Sequence, residues 1–530
     1  MSLLLSRKVI ISISAPPLMA ATTITGTTGN DILSSPGSVL GTKPSPALIV
    51  GFQGDDTITI SQASDSASAG QGNDSINILF RGSQVATIDS GAGDDTISSK
   101  NGASYSNQIY AGDGADSIMV GSPSSTGLVK GSTIFGGGGN DTIDLGTAAR
   151  TVINSFFGLG SGDDSIHAPA ATLFDSQIYG AKGKDTIAIG AEQILADVNI
   201  NAGLGADLIT FEGGASVANT YIGAGKGADS IHLGTASFIA ASIAGGGLSD
   251  TITIESSTNY YEDKFARGGG VKIYGDAFGV TTAGTGLGGG ADGADIIGGS
   301  AQDFGNASIY GAGGADTIKV FGCSALVFGG NGHDVIYIYG QTLNSVNGGS
   351  GDDIIKHFNP HTGSPLLTGI PTLNGGAGND SLIYGGTTAN FLSTGALNAT
   401  GSRPWYHGGY SNFIVEGAVS GDKIIADSTA LDVSNSNFNS TSGTIYVYAT
   451  ASASVTELED IEGSMGIYSD GNDTYFTIAS GGSKYAIFNI RGTDLVTTTK
   501  LSQDITVTTL NFGFSVTANS NDTGIIITLA

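Results

Sequence analysis

The stretch Ile134–Leu145 reads IFGGGGNDTIDL. An apolar residue leads into a run of glycines, one aspartate closes the run, and a second apolar residue follows two positions later. Inside it lies the nine-residue pattern G-G-x-G-x-D-x-U-x, where U is a large apolar residue. The glycines permit a tight turn that points carbonyl oxygens inward. Asp141 supplies a hard carboxylate oxygen, the ligand type that Ca²⁺ prefers. Ile143 is set to be buried as the chain leaves the turn as a short strand.

The pattern recurs sixteen times, on Asp31, Asp56, Asp74, Asp95, Asp116, Asp141, Asp164, Asp185, Asp207, Asp229, Asp250, Asp295, Asp316, Asp334, Asp353 and Asp380. All but Asp250, which follows Leu248, have glycine two residues earlier, and all have Ile or Leu two residues later. A second apolar residue usually stands seven positions upstream, as at Ile49, Ile88, Ile109, Phe157 and Ile200. Asp-to-Asp spacing clusters at 21 to 22 residues, with a minimum of 18. Eighteen residues are two nonapeptides, enough for one coil of two strands and two loops. The chain therefore predicts an all-β fold, a parallel β-roll or β-helix solenoid over residues 23–385. An N-terminal segment, 1–22, precedes it and a β-rich cap, 386–530, follows. Only one nonapeptide per coil keeps the aspartate, so the other edge is expected to be plain. The gap between Asp250 and Asp295 is expected to hold a degenerate coil at 255–268 and an enlarged Gly/Thr loop at 276–292.

Composition narrows the function classes. Glycine accounts for 86 residues, Lys plus Arg for 20, and the formal net charge is −27. Of the 47 acidic residues 39 are Asp, a bias that suits turns and cation sites. Such acidity excludes nucleic acid as a partner and disfavours anionic membranes. The single cysteine, Cys323, leaves no internal disulfide framework, and its apolar setting predicts a small buried hydrophobe. Pro16 and Pro17 interrupt the weakly apolar N-terminus, and no other stretch approaches a transmembrane segment.

The repeat resembles the RTX, or hemolysin-type calcium-binding, family over about residues 24–385. The resemblance implies a parallel β-roll in which Asp carboxylates and backbone carbonyls hold multiple Ca²⁺ between successive turns. It assigns that role to Asp56, Asp74, Asp95, Asp116, Asp141, Asp164, Asp185, Asp207, Asp229, Asp250, Asp295, Asp316, Asp334, Asp353 and Asp380. Thr27, Phe52, Ala181, Leu248, Ala291 and Ala312 depart from the family's glycines. The C-terminal runs from SGDKI at Ser420–Ile424 to the aliphatic end NDTGIIITLA resemble the RTX flank more loosely, and imply type I secretion.

No catalytic set emerges. There is no H-E-x-x-H and no G-x-S-x-G. His357 and His361 read as a surface loop, and His167, His232 and His333 as solvent-facing. The doublets Asp55–Asp56, Asp94–Asp95, Asp163–Asp164 and Asp352–Asp353 fall on the repeat, so ligation or solvation outweighs glycosidase chemistry. Trp405 and Tyr406, near His407, read as an end plug or a glycan contact. The expectation is a non-enzymatic, secreted, calcium-folded structural protein at a bacterial cell surface, of S-layer or matrix type, with possible self-association. The alternatives are an adhesin that grips a surface glycan and, further off, an RTX-associated lyase or epimerase. Asp65, outside the repeat, is expected to matter little.

Overall fold

The computed structural model describes residues 10–11, 22–35, 46–62, 64–79, 86–99, 103–120, 127–148, 150–191, 193–253, 270–276, 293–298, 307–321, 325–339, 345–359 and 372–386. It also describes the backbone of the later strands between Phe413 and Leu529. The degenerate coil, the 277–292 part of the enlarged loop, Cys323, His361 and the Trp405–His407 cluster lie outside these residues. Every regular element among the described residues is a β-strand, and none is a helix long and apolar enough to cross a membrane. The chain forms two compact units. One comprises Met1–Asn259 with Gly268–Val271, the other Tyr260–Arg267 with Lys272–Ala530.

In the first unit each coil enters on a glycine-rich strand, such as Gln108–Asp113, turns, and leaves on a strand after the aspartate, such as Ser117–Val120. Like strands of successive coils pair in parallel without slippage. Ile109 lies beside Ile134 and Ile134 beside Phe157; Ile118 lies beside Ile143 and Ile143 beside Ile166. This register follows from the period of two along each strand, because a one-residue slip would turn every isoleucine out to water. Ile134, Ile143, Ile166, Ile178, Ile187 and Ile200 are all fully buried. Each contributes about 1.5–3 kcal/mol by leaving water, but only when stacked on its neighbours.

The expectation of two strands per coil needs correction. Seven coils carry a third strand, in a seven-stranded sheet running from Ala103–Tyr105 through Gly127–Lys130, Arg150–Ile153, Ala171–Phe174, Ile194–Ala196 and Ser216–Ala218 to Ser237–Ile239. Coil length permits it. An 18-residue coil closes on two sides, whereas coils of 21 residues or more have enough chain for another strand. Val129, Val152, Leu173, Leu195, Val217 and Phe238 supply its buried face.

The outer face of the first unit's glycine-rich sheet carries a column of rings. Tyr110, Phe135, Phe156 and Tyr179 stack with centroids 5.5, 5.1 and 5.5 Å apart. In the register of this column Gly158 falls between Phe135 and Tyr179. The Phe135 and Phe156 rings together occupy the space a side chain there would need.

In the second unit the same two strands per coil stack through Thr317–Phe321, Val335–Tyr339, Ile354–Asn359 and Ser381–Gly386. Parallel stacking runs past residue 385. Phe413–Glu416 pairs with Thr372–Ala377, and Lys423–Asp427 with Ser381–Gly386. Antiparallel pairing follows, with Gly524–Leu529 lying between Lys423–Asp427 and Phe514–Ala518. An antiparallel strand laid on the last parallel one occupies an edge that would otherwise template association.

Ile187→Ala, in the centre of the first unit's core, is expected to lower unfolding free energy by about 2–5 kcal/mol in a denaturant titration. Its outward neighbour Thr186→Ala is expected to stay within about 0.5 kcal/mol.

Candidate metal centre

The corner between the two main strands must solve a hydrogen-bonding problem. The aspartate's backbone N–H turns inward, away from both sheets, and a buried N–H needs an acceptor. The next coil's aspartate supplies it. Asp56 N–H donates to Asp74 Oδ1 at 2.7 Å, Asp74 N–H to Asp95 Oδ1 at 2.7 Å, and Asp141 N–H to Asp164 Oδ1 at 2.7 Å. The series continues through Asp185, Asp207 and Asp229 to Asp250. In the second unit it runs from Asp295 through Asp316, Asp334 and Asp353 to Asp380, at 2.8–2.9 Å. All fifteen aspartates proposed from sequence are therefore buried, in one column per unit.

Glycine spacing in the turn follows from the close approach of coils. Gly112 and Gly114 have φ of 109° and 136°, and a Cβ on either would collide with the carbonyl of Gly91 or Gly93 in the preceding coil. Four of the departures adopt the same geometry. Phe52, Ala181, Leu248 and Ala312 have φ of 99°, 86°, 78° and 86°. A non-glycine residue there costs on the order of 1–2 kcal/mol, which the stack overrides. Thr27 acts differently: its backbone N–H and hydroxyl both donate to Asp31 Oδ2. Ala291 lies outside the described residues.

The second carboxylate oxygen carries the chemistry. Oδ2 of Asp56, Asp74, Asp116, Asp141, Asp164, Asp185, Asp207, Asp229, Asp316, Asp334 and Asp353 is buried without a hydrogen-bond partner. At Gly136, Asp141 Oδ2 and the Leu159 carbonyl of the next coil close on the space a Cβ would fill; Asp185 Oδ2 and the Ala202 carbonyl do so at Gly180. Two acceptors thus face one small space. In one coil a hydroxyl stands there, and Ser90 donates to the Ala111 carbonyl at 2.7 Å.

Burial raises these groups against the opposing backbone N–H bond; at most of them neighbouring carboxylates add to the rise, whereas at Asp334 the charge of His333 opposes it. Asp74, Asp141, Asp185, Asp229 and Asp353 are raised to about 7, and Asp116 and Asp334 to about 6. Asp56, Asp95, Asp164 and Asp207 are raised as well. Hard oxygen donors, orphaned and buried, suit Ca²⁺. Among the described residues no three His, Cys, Asp or Glu side chains gather around one point, so backbone carbonyls would have to complete any shell.

A flanking ladder on the exposed side runs in the opposite sense. Asp94 N–H donates to Asn73 Oδ1 of the preceding coil at 2.9 Å, and Asp163 N–H to Asn140 Oδ1 at 2.9 Å. The doublet residues Asp55, Asp94, Asp163 and Asp352 are thus exposed rungs of this ladder. Asn or Asp serves equally well there.

The edge expected to be plain holds a further ladder that the sequence reading missed. Ala47 N–H donates to Asp65 Oδ1 at 2.8 Å, Ala86 N–H to Asn107 Oδ1 at 3.3 Å, and Ser155 N–H to Ser176 Oγ at 3.2 Å. The residue at the start of this corner turns left-handed, with φ of 47–70° at Ser64, Ser106, Gly131, Asn154, Asp175, Asp197, Asn219 and Ala240, although Val198 and Ala241 after two of them carry no side-chain acceptor. A recurring Asn, Asp, Ser or Gly followed by a small polar residue, two positions before an apolar one, was the available signal. Asp65 is accordingly a buried cap within a ladder of its own. His357 is likewise buried within a strand and not part of a surface loop. His167 and His333 are exposed, while His232 is half-buried with Nδ1 2.8 Å from Thr253 Oγ1. No protein-family model matches the chain, and no curated protein is significantly similar to it.

Two outcomes are expected. Asp65→Ala leaves Ala47 N–H without its acceptor and should cost about 1–3 kcal/mol by denaturant titration. In protein stripped of divalent ions, the folded state binds protons more tightly than the unfolded chain between the ordinary carboxyl value of 3.8 and about 7. Stability is therefore fully present at the acid end of that window and is lost as pH rises through it. The urea midpoint should be higher at pH 5 than at pH 8, and a reversed order would show that the column stays ionised in the folded state.

Proposed function

We propose that this protein is a calcium-binding repeat protein of RTX type, secreted to a bacterial cell surface, where it has a structural role of S-layer or matrix kind. The observation that supports calcium is the choice of aspartate. For the backbone bond alone asparagine would be the better residue, because its Oδ1 accepts the same N–H and its Nδ2 would donate to the facing carbonyl. All sixteen corners nevertheless carry Asp, while Asn occurs freely one position earlier, at Asn30, Asn73, Asn140 and Asn379. A carboxylate facing a carbonyl needs a positive partner between them, and at neutral pH outside a cell calcium is available for that place.

In this reading Oδ2 of each ladder aspartate, with the carbonyl five residues before the next coil's aspartate, holds an ion that links the two coils. Bound calcium supplies charge neutralisation and a cross-link. The chain supplies everything else: Oδ1 stays fixed on the preceding N–H, so Oδ2 is already aimed, and the isoleucine columns set the coil spacing. Neighbouring carboxylates about 5 Å apart repel by about 0.8 kcal/mol even in water, and more when desolvated. Ion binding removes that term along the whole column and becomes folding free energy. The absence of an internal disulfide and the strong acidity fit an extracellular chain stapled by metal. The adhesin alternative gains little from the described surface, because Tyr110 stacks on Phe135 and Tyr179 on Phe156, so these rings spend their faces on one another. A sugar would need a free ring face.

Asp141→Asn separates the possibilities. Under chelation the variant should be as stable as the parent or more so, and less dependent on pH. With millimolar calcium the parent should gain far more than the variant in circular dichroism melts and compactness. On intact cells, chelation should loosen the protein from the surface layer. Equal calcium responses in parent and variant would overturn the assignment of this column.

A further inference from the structure

The strands Gln108–Asp113 and Gln177–Lys182 read QIYAGD and QIYGAK. They lie three coils apart on the glycine-rich sheet of the first unit, and the unbroken parallel register puts their outward residues in shared rows. One row runs from Gln108 through Thr133 and Phe156 to Gln177. The next runs from Tyr110 through Phe135 and Gly158 to Tyr179, and the third from Asp113 through Gly138 and Ser161 to Lys182. The two strands thus present the same glutamine and the same tyrosine at matching places, and opposite charges at the third. Asp113 and Lys182 are both exposed, and Tyr110 is 39% exposed.

The face around them is nearly free of the chain's charge. The protein carries a net −27, yet the ten successive strands from Ala47–Gln53 to Ser242–Gly247 hold only four charged residues, Asp89, Asp113, Lys182 and Lys226, which sum to zero. Both acids stand on one half of the face and both bases on the other, and the ring column of Tyr110, Phe135, Phe156 and Tyr179 spans the middle. At about 4.8 Å per strand and about 3.3 Å per residue, the face measures about 43 by 20 Å. That matches the roughly 800 Å² per partner buried by a stable interface. An aromatic centre depleted of charge, inside a polar margin, is also how such interfaces are composed.

We propose that this face joins two copies of the chain, related by a two-fold axis that runs along the strands between Thr133–Gly138 and Phe156–Ser161. Such an axis turns the second copy end for end and keeps each row over itself, so a self-complementary row meets its own complement. Gln108 then lies opposite Gln177 of the second copy, where the two amides can each donate and accept. Tyr110 lies opposite Tyr179, and Asp113 opposite Lys182, each pair being made twice. One strand further out Asp89 meets Asn201, and Ala92 meets Leu204, which is 45% exposed. Beyond that Lys226 meets Gln71, so no like charges meet on the face. Two strongly acidic copies repel on most approaches, and a neutral face that pairs its own charges is the one that lets them meet. The inference adds a partner to the structural role proposed above and rests on that reading for its biological use, while the contact itself involves no group of the aspartate column.

Sedimentation velocity of the full chain in millimolar calcium reads the contact directly, and the parent should be a dimer. Asp113→Lys and Lys182→Asp each set like charges opposite one another twice, and each should weaken association about tenfold or more. The double variant, Asp113→Lys with Lys182→Asp, exchanges the two ends of the same pair and should return to within about threefold of the parent. Both positions are exposed, so circular dichroism melts of all three variants should match the parent's. A monomeric parent would overturn the proposal, including one that stays monomeric while holding added polysaccharide on this face. Single reversals that dimerise like the parent, or a double variant as weak as the singles, would do the same. The earlier reading fails separately: a parent that dimerises through this face but whose melt ignores calcium, or that is missing from the surface of intact cells, would overturn that reading and leave the contact in place.

Discussion

A chain that coils on itself in register must find an acceptor for the backbone N–H at each corner, coil after coil. Here the acceptor is the carboxylate of the next coil's aspartate, as where Asp141 N–H meets Asp164 Oδ1. The bond fixes the rotamer of every aspartate and sets coil spacing at the corner. It also divides the two carboxylate oxygens between different tasks. Oδ1 belongs to the fold. Oδ2 is left buried, facing a carbonyl, and its unmet demand is what gives the column any chemistry.

The remainder of each coil adjusts to that corner. Glycines withdraw so that Gly112 can pass under Gly91, and where evolution has placed Ala181 or Leu248 the backbone still takes the left-handed geometry. Isoleucine columns hold the sheets at the distance the corner requires. A column of raised carboxyls between Asp116 and Asp229 is a store of unfavourable charge at neutral pH. Protons and divalent cations relieve it in different conditions, so the solenoid's stability is tied to its surroundings as that of an all-apolar stack is not.

Opposite corners are built on different terms. At the second corner most acceptors of the inward N–H are neutral, as at Ser155, Ser176 and Asn107, with Asp65 the charged exception, and Ser176 meets its own needs locally by donating from Oγ to the Phe174 carbonyl. That corner is finished by the chain alone. The contrast between this ladder and one with an orphaned carboxylate oxygen at Asp56, Asp74, Asp141, Asp185 and Asp229 among others is the strongest physical argument that the aspartate corner takes a ligand.

Much of this was legible in the residues. Glycine before and isoleucine after each aspartate, on a recurring spacing, specify a parallel solenoid, because no other arrangement buries all the isoleucines and turns all the glycines. The same pattern marks which carboxylates line up. Three things were decided only in three dimensions. The third sheet uses the spare length of the longer coils; its Val129, Val152 and Leu173 each stand twelve residues before a ladder aspartate, but no glycine turn of their own marks them as a strand before they stack. Asp65 looks like a solvated residue until Ala47, eighteen residues earlier, is brought over it. And no reading of the motif separates Oδ1 from Oδ2: which oxygen is spent on the fold and which is left over depends on how one coil sits on the next.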